Sequence, residues 1–175
     1  SNTAWAFAKM EQKFDELMEA ISAEAIVKAP EFQPQNLSNT TWAFATLRIQ
    51  NAELCAAMSE QAVGRVAELS CRDMASLCWS YARLLVPNPE LVDAIAPRAA
   101  ESICEFGTQG LTNTAWAFAT LAKSDEALLH SIAREILRKV HQSWRDGSMK
   151  IEELATDVNG LTWALCTAEV PGGGG

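Results

Sequence analysis

Trp5, Trp42, Trp79 and Trp116 stand 37 residues apart, and Trp163 follows after 47. Around them the chain reads SNTAWAFAKM, SNTTWAFATL, ASLCWSYARL, TNTAWAFATL and NGLTWALCTA, four strong copies and one degenerate one. A fixed period of this length means one supersecondary unit repeated, stacked so that neighbours bury each other's apolar faces. Within each copy the residue two after Trp is Phe7, Phe44, Tyr81, Phe118 or Leu165. The residue three after is Ala8, Ala45, Ala82, Ala119 or Cys166, and the one five before is Leu37, Met74, Leu111 or Val158. A helix apolar nearly all round is expected to be buried between neighbours, with the small Ala residues letting adjacent helices approach closely. The Trp side chains are accordingly expected in the core.

A second, amphipathic helix follows in each unit. Phe14, Leu17, Met18, Ile21 and Ala25 form its stripe in the first unit, and Leu128, Leu129, Ile132, Ile136 and Leu137 do so in the fourth. Boundary chemistry agrees. Ser70 with Asp73 reads as a capping box, Asn88-Pro89-Glu90 as an N-cap, a first-turn Pro and an early acid, and Ser124-Asp125-Glu126 as a helix start. Pro30, Pro34, Gly107 and Gly110 stand between units. The expected fold is all-α, an α-solenoid of helix-turn-helix repeats with a period of 37 residues. It forms one array over 1–171, with units at about 1–32, 33–69, 70–106 and 107–153 and a partial unit at 154–170. The extra residues before Trp163 fall between Trp144 and Asp157, and Gly172–Gly175 is a tail. The chain opens at Ser1 inside a motif and without an initiator Met, so a longer chain is expected, with any targeting peptide outside it.

Ala supplies much of the 49% apolar content, which favours helix. With 14 basic and 22 acidic residues the net charge is −8, an unfavourable global field for a phosphate backbone, so DNA is not expected as a partner. No stretch approaches the roughly 18–20 apolar residues of a membrane span. The five cysteines, Cys55, Cys71, Cys78, Cys104 and Cys166, lack metal-ligand spacing and read as reduced core thiols. His130 and His141 are the only histidines, and no nucleophile motif or phosphate loop is present. No catalytic residue, metal or cofactor is expected.

The recurring L-x-N-x-x-W-A-F-A-x-L text, specific at Asn2/Trp5, Asn39/Trp42 and Asn113/Trp116 and weaker where Ser76 and Gly160 replace Asn, resembles the octotricopeptide and heptatricopeptide repeats of organellar proteins in algae and protists. Those are relatives of pentatricopeptide repeats, often joined to a RAP domain. The resemblance implies a right-handed α-solenoid in a chloroplast or mitochondrion, usually bound to organellar RNA in transcript processing, stability or translation. No RAP domain is visible over these residues, so no effector role carries over.

Candidate sites divide between ligand and structure. The Asn three before Trp offers one polar group per unit, which a base reader needs, but its near-constancy argues for a ladder holding neighbouring units in register. The varying positions are one before Trp (Ala4, Thr41, Cys78, Ala115, Thr162) and four after it (Lys9, Thr46, Arg83, Thr120, Thr167). Lys9, Arg48, Arg83, Thr46 and Thr120 are the ligand-facing candidates. Arg134, Arg138, Lys139 and Arg145, with His141 among them, form the one basic patch, suited to phosphates or to the C-terminal end of a solvated helix. The acid excess places a protein-interaction scaffold first, a peripheral subunit of a photosystem, ribosome or respiratory complex. An RNA-binding module is the alternative.

Overall fold

In a computed structural model the chain is described over residues 1–121 and 125–147, with Thr162. The readings on Trp163, Leu165, Cys166, Thr167, the partial fifth unit and the Gly tail lie outside the described residues. Among the described residues eight α-helices run in order: α1 (Asn2–Lys9), α2 (Asp15–Lys28), α3 (Pro34–Thr46), α4 (Ala52–Gly64), α5 (Cys71–Leu84), α6 (Pro89–Glu101), α7 (Thr108–Thr120) and α8 (Glu126–Arg145). Among the described residues there is no strand, and the all-α solenoid expected from the sequence is the fold.

Odd helices pack on odd helices and even on even, giving an inner row of α1, α3, α5 and α7 and an outer row of α2, α4, α6 and α8. The inner helices α3, α5 and α7 open 37 residues apart, and Trp42 stacks on Trp79, the residue of matching register, so neighbouring inner helices run parallel. Ala43, Ala45, Ala82, Ala117 and Ala119 are buried along this row and keep the helices close. Leu37, Met74 and Leu111 join Phe44, Tyr81 and Phe118 on the side facing the outer row, which answers with Met18, Met58, Ile95 and Ile132. Removing one such ring would cost about 3–5 kcal/mol. The buried Tyr81 hydroxyl donates to the Cys55 carbonyl of α4, and burial pushes its ionisation well above the ordinary value.

The turns repeat as faithfully as the helices. Each inner helix of the first three units ends on a non-glycine residue in the left-handed region, Glu11, Arg48 and Leu85 with φ 55, 54 and 55°. In the second unit Ile49 N–H bonds the Phe44 carbonyl and Arg48 N–H the Ala45 carbonyl, a Schellman closure. Asn51, Asn88 and Asp125 then cap the outer helices by accepting from the N–H of Leu54, Leu91 and Leu128. Return connections are short 3₁₀ turns at Ala29–Glu31, Val66–Glu68 and Ile103–Glu105. The Ser70/Asp73 capping box is present.

Three apolar assignments change. Phe14 is not in the outer-helix stripe: it holds the N-cap position of α2 without a side-chain cap, is 52% exposed, and meets Phe7 edge to face at 5.5 Å. Leu137 is also exposed, because it stands on the solvent side of α8 with Arg134, Arg138 and His141, next to the buried Ile136. Of the described cysteines, Cys55 and Cys78 are buried thiols, but Cys71 is half-buried and Cys104 is exposed on a 3₁₀ turn.

Candidate functional site

A two-row stack covers an inner helix on three sides, by the helix before it, the helix after it and the outer row. The fourth side stays open. At 3.6 residues per turn, the positions seven and three before Trp, Trp itself and four after it fall within about 60° of one another, roughly opposite the Leu/Met and Phe/Tyr positions that face the outer row. The open sides combine into a groove of about 890 Å³ along α1, α3, α5 and α7. Its walls include Trp5, Trp42 and Trp79, Asn39, Ser76 and Asn113, and Lys9, Thr46, Arg72 and Arg83.

This corrects the expected burial of the tryptophans. Trp5 is 39% exposed, and Trp42, Trp79 and Trp116 are half-buried and packed against the core. Of these, Trp5, Trp42 and Trp79 line the groove. Trp42 and Trp79 lie with ring centroids 6.5 Å apart and planes 29° from parallel. Lys9 brings its ammonium 5.8 Å from the Trp5 ring and 6.0 Å from the Trp42 ring, bridging the first two aromatics as a cation over both faces. The result is a strip of indole surface crossing the units.

The Asn ladder also reads differently. Among the described residues neither Asn39 nor Asn113 has a hydrogen-bond partner for its carboxamide, and both line the groove half-exposed, as Ser76 does between them. Asn2 is exposed at the end of the row. Register is held instead by a different pair of positions. Ser38 of α3 donates to Asp73 of α5, and Asn36 of α3 donates to Ser1.

Of the residues one before Trp, Ala4, Thr41, Cys78 and Ala115 are buried between helices, so they are not a varying exposed surface; Thr162 is exposed. Four after Trp, Lys9 and Arg83 are exposed at the groove, but the hydroxyls of Thr46 and Thr120 are turned away from solvent and have no partner. Arg48 is exposed in the same turn position as Glu11, which lines the groove. Sequence reasoning passed over Arg72 and Gln109, which sit one helical turn before the Asn position; their 37-residue spacing on the Trp face was the available signal.

The basic patch lies elsewhere. It is on α8 of the outer row, and part of it is engaged: Arg138 grips the buried Glu135 carboxylate through two bonds of 2.8 and 2.7 Å, and Lys139 donates to the Cys104 carbonyl at 3.0 Å while standing 3.3 Å from Glu135. The Arg138 fork, helped by Lys139 and opposed by burial, holds the Glu135 carboxyl below its usual range. Arg134, His141 and Arg145 are exposed on the same helix. No three His, Cys, Asp or Glu side chains gather to hold a metal among the described residues, and no helix among them is long and apolar enough to cross a membrane.

Fold and groove together define a helical-repeat protein whose inner row presents an aromatic strip edged with cations and unbonded amides. The model of the RNA-editing substrate-binding complex 6 protein family matches residues 2–151, and the chain belongs to that family. No curated protein matches it.

Proposed function

We propose that the chain is a non-catalytic RNA-binding subunit of an RNA-editing complex, taking RNA in the tryptophan groove. The family's name supplies the RNA and the assembly, and a complex of this kind favours the mitochondrion of the two organelles that the octotricopeptide-like motif allows. This reverses the order in which the acid excess alone placed protein and RNA. The supporting observation is the groove itself. Lys9, Arg72 and Arg83 line it against Glu11 and Glu105, so it is locally cationic on a chain of net charge −8, and its indoles present aromatic surface to a ligand. Base stacking on an aromatic side chain contributes about 1–3 kcal/mol per base and tolerates any sequence. Contacts to other subunits fall on the outer surface, where the acid excess suits a protein partner better than a phosphate.

The test is fluorescence anisotropy of a labelled unpaired RNA titrated with the full chain. Trp42→Ala and Trp79→Ala are each expected to weaken binding by about tenfold, equivalent to 1.4 kcal/mol. Absence of binding, or Trp variants that bind as tightly as the parent, would refute the reading.

A further inference from the structure

The two rims of the groove carry opposite charge. Inner helices run parallel, so their C-terminal ends line one rim and the 3₁₀ turns with the N-terminal ends line the other. On the C-terminal rim stand Lys9 and Arg83, with Arg48 at the turn position that Glu11 occupies in the first unit: three cations against one carboxylate. On the opposite rim Glu105 lines the groove beside Arg72, and Glu31 and Glu68 hold the same exposed position on the two preceding 3₁₀ turns. Outer-row cations at that end are engaged, Lys28 with Glu24, Arg98 with Glu101, and Arg65 with the Phe32 carbonyl. Between the rims lie the indoles and the unbonded carboxamides of Asn39 and Asn113.

Resting on the RNA reading above, we infer that the groove takes single-stranded RNA in one orientation, its phosphodiester backbone along the Lys9/Arg48/Arg83 rim and its bases laid inward on the tryptophan strip, edges toward Asn39 and Asn113. Phosphates follow the cationic rim because the other would set them against a carboxylate at every unit. Bases must be unpaired to reach the indoles, since in a duplex their faces are stacked on each other and only shape and backbone are offered. A duplex carries two phosphate strands, and one of them would meet the acidic rim. Free carboxamides, each both donor and acceptor, then find partners on base edges.

Salt-dependent anisotropy tests this, using an unpaired RNA of about 12 nucleotides and its blunt duplex. Each phosphate contact to a single strand contributes about 0.7 to the slope of log affinity against log salt. Lys9→Gln, Arg48→Gln and Arg83→Gln are each expected to reduce the slope by about that amount, Glu31→Gln and Glu68→Gln to leave it unreduced, and the duplex to bind at least about tenfold more weakly. Unchanged slopes in the three cation variants, or a duplex bound as tightly as the strand, would overturn the orientation. If the parent still binds RNA and Trp42→Ala still weakens it, that result sinks this inference alone; if the parent binds no RNA, the proposed function falls with it.

Discussion

Ser38 donates a 2.6 Å hydrogen bond to Oδ1 of Asp73, tying α3 to α5, while Oδ2 of the same carboxylate accepts from the hydroxyl and backbone N–H of Ser70. One buried side chain thus caps its own helix and holds the preceding unit. The equivalent pair at the first interface is Asn36 with Ser1, at 2.7 Å. At the third it is Gly110 with Ala75, where a Cβ added to Gly110 would lie 3.7 Å from that of Ala75, close apolar packing in place of a polar bond.

Asp73→Ala is therefore expected to cost about 3 kcal/mol, a lost cap plus a lost buried bond to a charged group. Urea denaturation measures it. A loss under about 1 kcal/mol would show that the carboxylate does not couple the units.

The left-handed turns carry side chains that strain them. Arg48→Gly and Leu85→Gly remove a Cβ penalty of about 1 kcal/mol each, and Leu85 gives up little packing because its side chain is exposed. Both variants are expected to melt higher than the parent. If they melt lower, chain entropy outweighs the strain.

Thiol reactivity should follow burial. The Cys78 thiol is pushed up to about 12 by complete burial, and Cys55 is raised for the same reason. Among the described cysteines, an aromatic disulfide reagent at neutral pH is expected to label Cys104 first and Cys71 more slowly, sparing Cys55 and Cys78 until denaturant is added. Rapid labelling of Cys78 in the native protein would contradict the packing of the inner row.

Glu135 gives the fold an acid limit. Its carboxyl is held low when folded, so the ionised form stabilises the native state above the unfolded value of about 4.3, and that contribution is lost as pH falls through the lower folded value. The stability gap between parent and Glu135→Gln should be constant near neutrality and narrow in acid. A gap that does not change down to about pH 3 would place the stabilisation in packing rather than charge.

Local signals were legible without coordinates. Helical class, the repeated unit, the Ser70/Asp73 box, the Asn88 cap and the Phe/Tyr and Leu/Met core positions rest on residues within a few places of one another, and the helix period alone aligns them. Which side of an inner helix stays uncovered is a property of how units stack. Periodicity marks Trp42 as one more apolar position, yet the stack turns it, Asn39 and Lys9 to the groove, fills register with Ser38 and Asp73 instead, and seats Lys139 on the Cys104 carbonyl of the preceding turn. Burial and pairing depend on neighbours about 35 residues away, so the repeat and its helices were determined by the sequence itself, and the open face that can hold a ligand was decided only by tertiary packing.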